Sequence, residues 1–465
     1  MGSRTKYLFK NTILFGISNF ASRLIAFFLI PIYTYKLTAS EYGTADLLYT
    51  VASFVYPIIS LNIAEAIFRF SMDKKNRKSD ISTISLICIA ISIVFGALIF
   101  MALKAFHIHD EYSWIFSLYL VTLSVSQILL ATLKGQEKLT LFTLGNIVNS
   151  SLIAAFSILF IQIKDMKIDG FFLSYVLANI IVSLFVVIVG KLYKGNKLSF
   201  NKTLFVEMIR YSTVLIPTSF LWWITNSSDR IMVANMISPT ANGLYAISYK
   251  LPSILTVLAS IFNQAWVFSA IKEKNNKDKN AYSNKVFGLL LFTLILFSLF
   301  ILLTLKPLLT ILVSSEYYES WKYVPFLLFG FIFMTLATFL SSSYNVHKDS
   351  KGFLVSAAIG AILNIILNFL FIPTLSVYGA ALATMISYIT VFAYRLIDTK
   401  KYTPIAITKR AYASITILII ASLASYFNGY AGPLAQIVCI AAIIIINKNH
   451  IPILLGVFKK IKPRN

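Results

Sequence analysis

Residues 81–103 read ISTISLICIAISIVFGALIFMAL, an unbroken run without a charged side chain that Lys104 closes. As a helix rising 1.5 Å per residue, such a run matches the roughly 30 Å hydrocarbon core of a bilayer. Runs of the same kind lie on both sides of it. Spans are expected at about 11–35, 42–70, 81–103, 113–133, 140–162 and 170–190, then at 207–228, 240–270, 285–305, 323–346, 353–373 and 378–397. Two more follow at about 410–428 and 432–448, about fourteen in all. Pro57, Pro217, Pro252 and Gly360 fall inside spans, which membrane helices tolerate.

The whole 465-residue chain fits that reading. It is 58% hydrophobic and 13% charged, with a mean hydropathy of +0.78. A soluble domain is about 45–50% apolar and about 25% charged, so a water-soluble enzyme and a disordered chain are both excluded. Cys88 and Cys439 sit in apolar runs and read as buried thiols, with no disulfide framework. The first span is too long for a signal-peptide core and no small-x-small site follows it, so it is read as retained. Lys6 stands where a myristoylation signal needs Ser or Thr.

The net charge of +23 has two readings, nucleic acid or membrane orientation. With the N-terminus in the cytoplasm and the loops alternating, the cytoplasmic segments collect 32 of the 41 Lys and Arg and the opposite face 7. Arg23 and Lys250 remain inside spans. The acids divide almost evenly, 8 cytoplasmic and 9 outside, with Glu65 in a span. That asymmetry is the positive-inside signal; it puts both termini in the cytoplasm and removes nucleic acid as a partner.

The chain also repeats itself at an offset of about 200. Thr38-Ala39-Ser40-Glu41-Tyr42-Gly43 through Tyr49 lies over Ser238-Pro239-Thr240-Ala241-Asn242-Gly243 through Tyr249. Ser53 then falls on Ser253, Ser60 on Ser260 and Phe68 on Phe268. Weaker echoes pair Gly145 and Asn149 with Gly360 and Asn364, and Gly170 with Gly379. Six spans separate the copies, so both run in one orientation and the repeat is parallel. Parallel halves enclose a site and rock against one another. The expected organisation is an all-α polytopic membrane protein: a lobe over 1–202 (spans one to six), a lobe over 203–403 (spans seven to twelve), and 404–465 as two added spans with a basic cytoplasmic tail.

Ionisable groups at bilayer depth cost about 2.5–3.5 kcal/mol on insertion scales, so they face a cavity or a partner. Arg23 lies mid-way along the first span with Asn19 one turn before it. Asn62, Glu65 and Arg69 form a stripe in the second. Lys250 lies in the eighth above Ser253 and Gln264, and Asn226, Asp229 and Arg230 end the seventh. Each has a structural reading beside the functional one. Arg69 reads as interfacial, Asp229 and Arg230 as a local pair ending a helix, and Glu65 as a partner of Arg69 or a cavity group. Arg23 and Lys250 have no local acid, so an anion is the expected countercharge. His107 and His109 lack a third ligand for a metal, and no phosphate-binding loop is present. No cofactor is therefore expected, and a coupling ion, H⁺ or Na⁺, is left open.

The segments 37–43 (LTASEYG), 226–231 (NSSDRI), Gly243-Leu244-Tyr245, 363–368 (LNIILN) and 379–384 (GAALAT) occur in an order and spacing that resembles the polysaccharide transporter family. These are the Wzx-type flippases of the multidrug/oligosaccharidyl-lipid/polysaccharide (MOP) superfamily. The likeness reaches to about residue 400. It implies two six-helix lobes around a central cavity, alternating access, and no enzymatic activity. The implied cargo is an undecaprenyl-pyrophosphate-linked repeat unit for O-antigen, capsule or exopolysaccharide, carried across a bacterial cytoplasmic membrane. A polysaccharide polymerase and a chain-length regulator are the implied protein partners. Arg23 and Lys250 would balance the pyrophosphate. Three alternatives stand beside it: a peptidoglycan-precursor flippase, a MATE-like cation-coupled exporter, for which only Glu65 is a clear intramembrane acid, and a membrane polymerase, for which no external loop is large enough.

Overall fold

The computed structural model describes residues 20–73, 75–108, 110–192, 199–273, 276, 278–347 and 349–452. Among them, regular structure is helical throughout: α1 (residues 20–28), α2 (Ile30–Lys36), α3 (Ala39–Ile59), α4 (Ile63–Ser71), α5 (Lys78–Ala105), α6 (Ser113–Gly135), α7 (Leu139–Ser157) and α8 (Lys167–Gly190). Then come α9 (Lys202–Met236), α10 (Pro239–Glu273), α11 (Lys279–Leu312), α12 (Val324–His347), α13 (Ser350–Leu375), α14 (Val377–Asp398), α15 (Lys409–Ala424) and α16 (Ala431–Ile446). Each of the fourteen expected spans coincides with helix, the first only from residue 20 onward. Nine helices among the described residues are long and apolar enough to cross a bilayer, ten if a bent pair counts as one span. The chain is a polytopic all-α membrane protein.

Internal packing divides it into two compact units, Met1–Gly243 and Leu244–Asn465. Units of packing need not coincide with units of repeat. In the first, α9 lies along α3 and α4. The ring of Phe54 sits 4.8 Å from that of Phe220 and 4.7 Å from that of Trp223. The Trp223 indole N–H donates to Ser53 Oγ at 3.0 Å. A cluster beneath α4 joins Ile63 and Ile67 to Cys88 on α5, Ile128 on α6 and Met208 on α9. In the second unit, α12 and α13 both pack on α14, and the added α15 and α16 pack on each other and on α11. Arg395 is buried there, donating from Nε to Ser356 Oγ at 2.9 Å and from a terminal nitrogen to the Ala337 carbonyl at 3.0 Å.

The span expected over 42–70 is corrected to two helices, α3 and α4, bent by 54°. Leu61 and Asn62 both take left-handed backbone, at φ 53° and 49°. The Asn62 N–H bonds the Pro57 carbonyl at 2.7 Å and the Leu61 N–H bonds that of Ile58 at 3.0 Å, the crossed pair that stops a helix at a left-handed residue. Such a stop normally uses glycine. Non-glycine residues cost roughly 1–2 kcal/mol each there.

The repeated motif starts a helix in each copy. Thr38 Oγ1 accepts the Glu41 N–H at 3.2 Å while Glu41 returns a carboxylate to the Thr38 N–H at 2.8 Å, a capping box worth about 1 kcal/mol. Ser238 does the same for α10 by accepting the Ala241 N–H at 3.1 Å, with Pro239 in the position where a missing N–H costs nothing. The glycines that follow touch main chain. A Cβ on Gly43 would lie 1.8 Å from the Pro239 oxygen, and one on Gly243 2.1 Å from the Ala39 oxygen. Residue 39 meets 243 and residue 239 meets 43, the reciprocity of a two-fold contact.

Candidate functional site

Two features of the first unit concentrate polar chemistry in otherwise apolar helices. The first is an ion pair. The Arg230 guanidinium on α9 donates to both carboxylate oxygens of Asp46 on α3, at 2.9 and 3.0 Å. The side chains are only 17% and 6% exposed, so the desolvated charges need one another. This corrects the reading of Asp229 and Arg230 as a local pair at a helix end. The helix runs on to Met236, Asp229 is buried, and Arg230 pairs with a residue 184 positions away. Asp46 stands near the start of the span expected over 42–70, where a charge is unremarkable. Its phase gives the signal: it lies one turn beyond Tyr42 and Gly43, on the face where the repeated motif makes its close contact.

The second feature is a cavity of about 540 Å³ lined by α1, α3, α6, α7 and α8. Volumes of roughly 300–1,000 Å³ are usual for ligand sites. Its wall holds three phenols, Tyr49, Tyr119 and Tyr175, whose rings lie 5.5–6.2 Å apart. Amides and hydroxyls complete it. Asn146, Asn149 and Ser150 form one face of α7, Gln127 comes from α6 and Asn179 from α8. Asn149 Nδ2 donates to Asn179 Oδ1 at 3.0 Å, tying α7 to α8. The Nδ2 of Asn179, a residue only 4% exposed, has no partner. Lys134 lines one end, with its ammonium 4.0 Å from the centre of the Phe68 ring. None of the described lining residues is acidic. The arrangement can hold a ligand that presents hydroxyls, apolar C–H faces and negative charge.

The sequence-derived candidates are distributed as follows. Arg23 is exposed on α1, next to Ser22 of the cavity wall and within electrostatic reach of Tyr49. Lys250 is half-buried on α10 in the second unit, where its carbonyl accepts the Ser253 hydroxyl at 2.8 Å. Asn62 is buried in the break between α3 and α4, outside the stripe expected of it. Glu65 and Arg69 lie on the exposed face of α4. The 21 residues of α3 already measure about 31 Å, so Glu65 is not forced to bilayer depth. Asn226 is half-buried in the body of α9. Asn19, His109 and the side chain of Gln264 lie outside the described residues.

The fold and the polar cavity define a multi-pass membrane protein with room for a polar ligand. Residues 8–271 match the family model described as polysaccharide biosynthesis protein, more than half of the chain, and residues 325–439 match the one described as lipid II flippase MurJ. The chain belongs to the polysaccharide biosynthesis protein family of the MOP superfamily. Among solved structures, it is similar to the lipid II flippase MurJ in an inward closed conformation, at 17% identity and a TM-score of 0.71 over 95% of this chain and 100% of that one. An inward-facing MATE-family multidrug transporter aligns at 11% identity and a TM-score of 0.67, over 85% and 96%. A MOP superfamily transporter from Pyrococcus furiosus with a binding pocket of reversed polarity aligns at 13% and 0.60, over 89% and 98%. At these identities the likeness establishes the fold. No curated protein matches the chain by sequence.

Proposed function

We propose that the protein is a flippase, not an enzyme, moving an undecaprenyl-pyrophosphate-linked oligosaccharide from the cytoplasmic to the outer leaflet of a bacterial cytoplasmic membrane. The observation that carries this reading is the cavity of phenols and amides with Lys134 at one end and no acid among its described lining. A cationic drug would lack a counter-ion there, whereas a sugar on an anionic carrier suits every group. Family membership supports the same cargo. In this reading, residues 1–202 rock against 203–403, Arg23 and Lys250 hold the pyrophosphate, and both termini are cytoplasmic. Asn19, Asn62, Glu65, Arg69, Asn226, Asp229, Ser253 and Gln264 are proposed polar or coupling groups, with H⁺ or Na⁺ as the coupling ion. A polymerase and a chain-length regulator receive the product.

The match of residues 325–439 to the lipid II flippase model favours a second reading, transport of a peptidoglycan precursor. Complementation separates the two. Expression should restore polymer export in a strain lacking its oligosaccharide flippase and should not restore growth to one lacking its lipid II flippase. In the rescued strain, Arg23→Ala and Lys250→Ala should each abolish export while inserting normally. Normal export by both variants would sink the anion-site assignment.

A further inference from the structure

We propose that the corner where α11, α15 and the end of α16 meet binds an anionic phospholipid, with Lys285 and Arg410 on its phosphate and α16 along its acyl chains. The corner lies apart from the cavity of the first unit, and its ligand is a resident lipid, not the cargo. From residue 399 to residue 465 the chain carries nine Lys and Arg and no Asp or Glu. Orientation in the membrane asks only that such cations share a side, whereas packing here gathers them at one place. Asn284 on α11 clamps the chain that leads into α15, donating to the Pro404 carbonyl at 2.9 Å and accepting the Ala406 N–H at 2.7 Å. Asn447, just past α16, donates to Ser414 Oγ on α15 at 3.1 Å. The His450 ring lies over Gly288 of α11, where a Cβ would stand 3.5 Å from Nε2, and its centre is 5.9 Å from that of Phe292. Lys285 is one turn before Gly288 and Arg410 one turn before Ser414, so both cations come to the same end of the three helices. Burial, and then the charges of Arg410 and Lys285, push the His450 imidazole below its ordinary value. Lys409 precedes Arg410, Lys448 follows Asn447, and all four cations are exposed. None of the four forms an ion pair among the described residues. Converging like charges repel, and an anion relieves that repulsion. The surface above makes the anion a lipid. Leu434, Val438, Ala441 and Ile445 form an exposed apolar stripe on α16 that leads to Lys448. Basic pockets between helices at a cytoplasmic surface take phospholipid headgroups, and the positive-inside distribution assigns this end to that surface.

The test uses the full-length chain in a non-ionic detergent, with phosphatidylglycerol and phosphatidylethanolamine of the same acyl chains added in equal amounts and bound lipid counted by native mass spectrometry. Each cation close to an anionic headgroup is worth about fivefold in binding. The wild type should therefore hold one phosphatidylglycerol about fivefold or more tighter than phosphatidylethanolamine. Lys285→Gln with Arg410→Gln should weaken phosphatidylglycerol by about tenfold or more and leave phosphatidylethanolamine binding and melting unchanged. Equal binding of the two lipids by the wild type, or a loss under about threefold in the double variant, overturns the site. Lys75→Gln with Arg77→Gln removes the same charge from the exposed loop between α4 and α5 and should change little. An equal fall there would make the attraction one of diffuse surface charge and overturn the site too. Glycerophosphoglycerol carries the same headgroup without acyl chains. If it displaces the lipid at equal concentration, the stripe on α16 takes no part and the lipid assignment fails. Should the double variant not fold, Lys285→Gln and Arg410→Gln are judged singly by the same ratio, each with a fall of about fivefold expected.

Discussion

Replacing Gly43 by alanine tests the reciprocal contact between the two copies of the repeated motif. The added Cβ would stand 1.8 Å from the Pro239 oxygen, 2.7 Å from its carbon and 2.8 Å from the Gly243 nitrogen, where ordinary contact begins at 3.4 Å. All three atoms are main chain, so no rotamer change relieves the overlap. The start of α10 must retreat by about 1.6 Å, and overpacking of this kind costs about 1–3 kcal/mol. The retreat also stretches the hydrogen bond from Asn242 Nδ2 to the Gly43 carbonyl, now 2.7 Å, for roughly another 0.5–1.5 kcal/mol. Alanine returns about 1 kcal/mol of helix propensity, leaving a net loss of about 0.5–3.5 kcal/mol. Gly288→Ala is the control. Its Cβ would meet His450 at 3.5 Å, so it keeps the propensity gain without the clash and should be neutral or slightly stabilising. Melting of the detergent-solubilised protein, followed by size exclusion after heating, should therefore move in opposite directions for the two variants. One separation relieves both glycine contacts, so Gly43→Ala with Gly243→Ala should cost less than the sum of the singles. Wild-type melting of Gly43→Ala, or strict additivity of the pair, would refute the argument.

Asp46→Asn strips the carboxylate from a desolvated guanidinium and should destabilise by about 3 kcal/mol, whereas the exchange Asp46→Arg with Arg230→Asp should recover part of that loss in the same melting assay. Asp349, which caps α13, accepts the Gly352 N–H at 2.9 Å and the Tyr402 hydroxyl at 3.0 Å, and with Lys401 nearby these hold its carboxyl below the usual range. A lowered carboxylate contributes stability above its unfolded pKa of about 3.9 and loses it as the pH falls through the folded value. Wild type should therefore melt above Asp349→Asn at neutral pH, and the difference should vanish on acidification; a constant gap would refute the assignment.

The spans were legible because each needs only a run of apolar residues, and fourteen such runs coincide with helix. The break at Leu61 and Asn62 was not, since a left-handed pair without glycine leaves no mark in hydropathy, and Pro57 is ordinary in a membrane helix. Asp46 was hidden by its place near the start of a run and by a partner in another helix. The cavity was hidden differently. Arg23 and Lys250 carry a charge that is costly in a span, while Asn146, Asn149 and Ser150, spaced as one face of a helix, carry none and leave a weaker mark. In the repeat, Asn149 falls over Asn364. That residue also bonds the following helix, through Thr384 at 3.5 Å, so the weak echo marked the same interhelical link in both units.

Cys88, fully buried against α4, gives the protein a built-in reporter. The thiol lies in the cluster that joins Ile63 and Ile67, just past the left-handed pair that ends α3, to Ile128 on α6 and Met208 on α9. A membrane-permeant maleimide reaches it when that cluster opens. The sequence has one other cysteine, Cys439, far along the chain, so a single substitution there would leave one reactive position. The rate of alkylation would then count how often the packing around α4 opens, with and without cargo, in the otherwise native molecule.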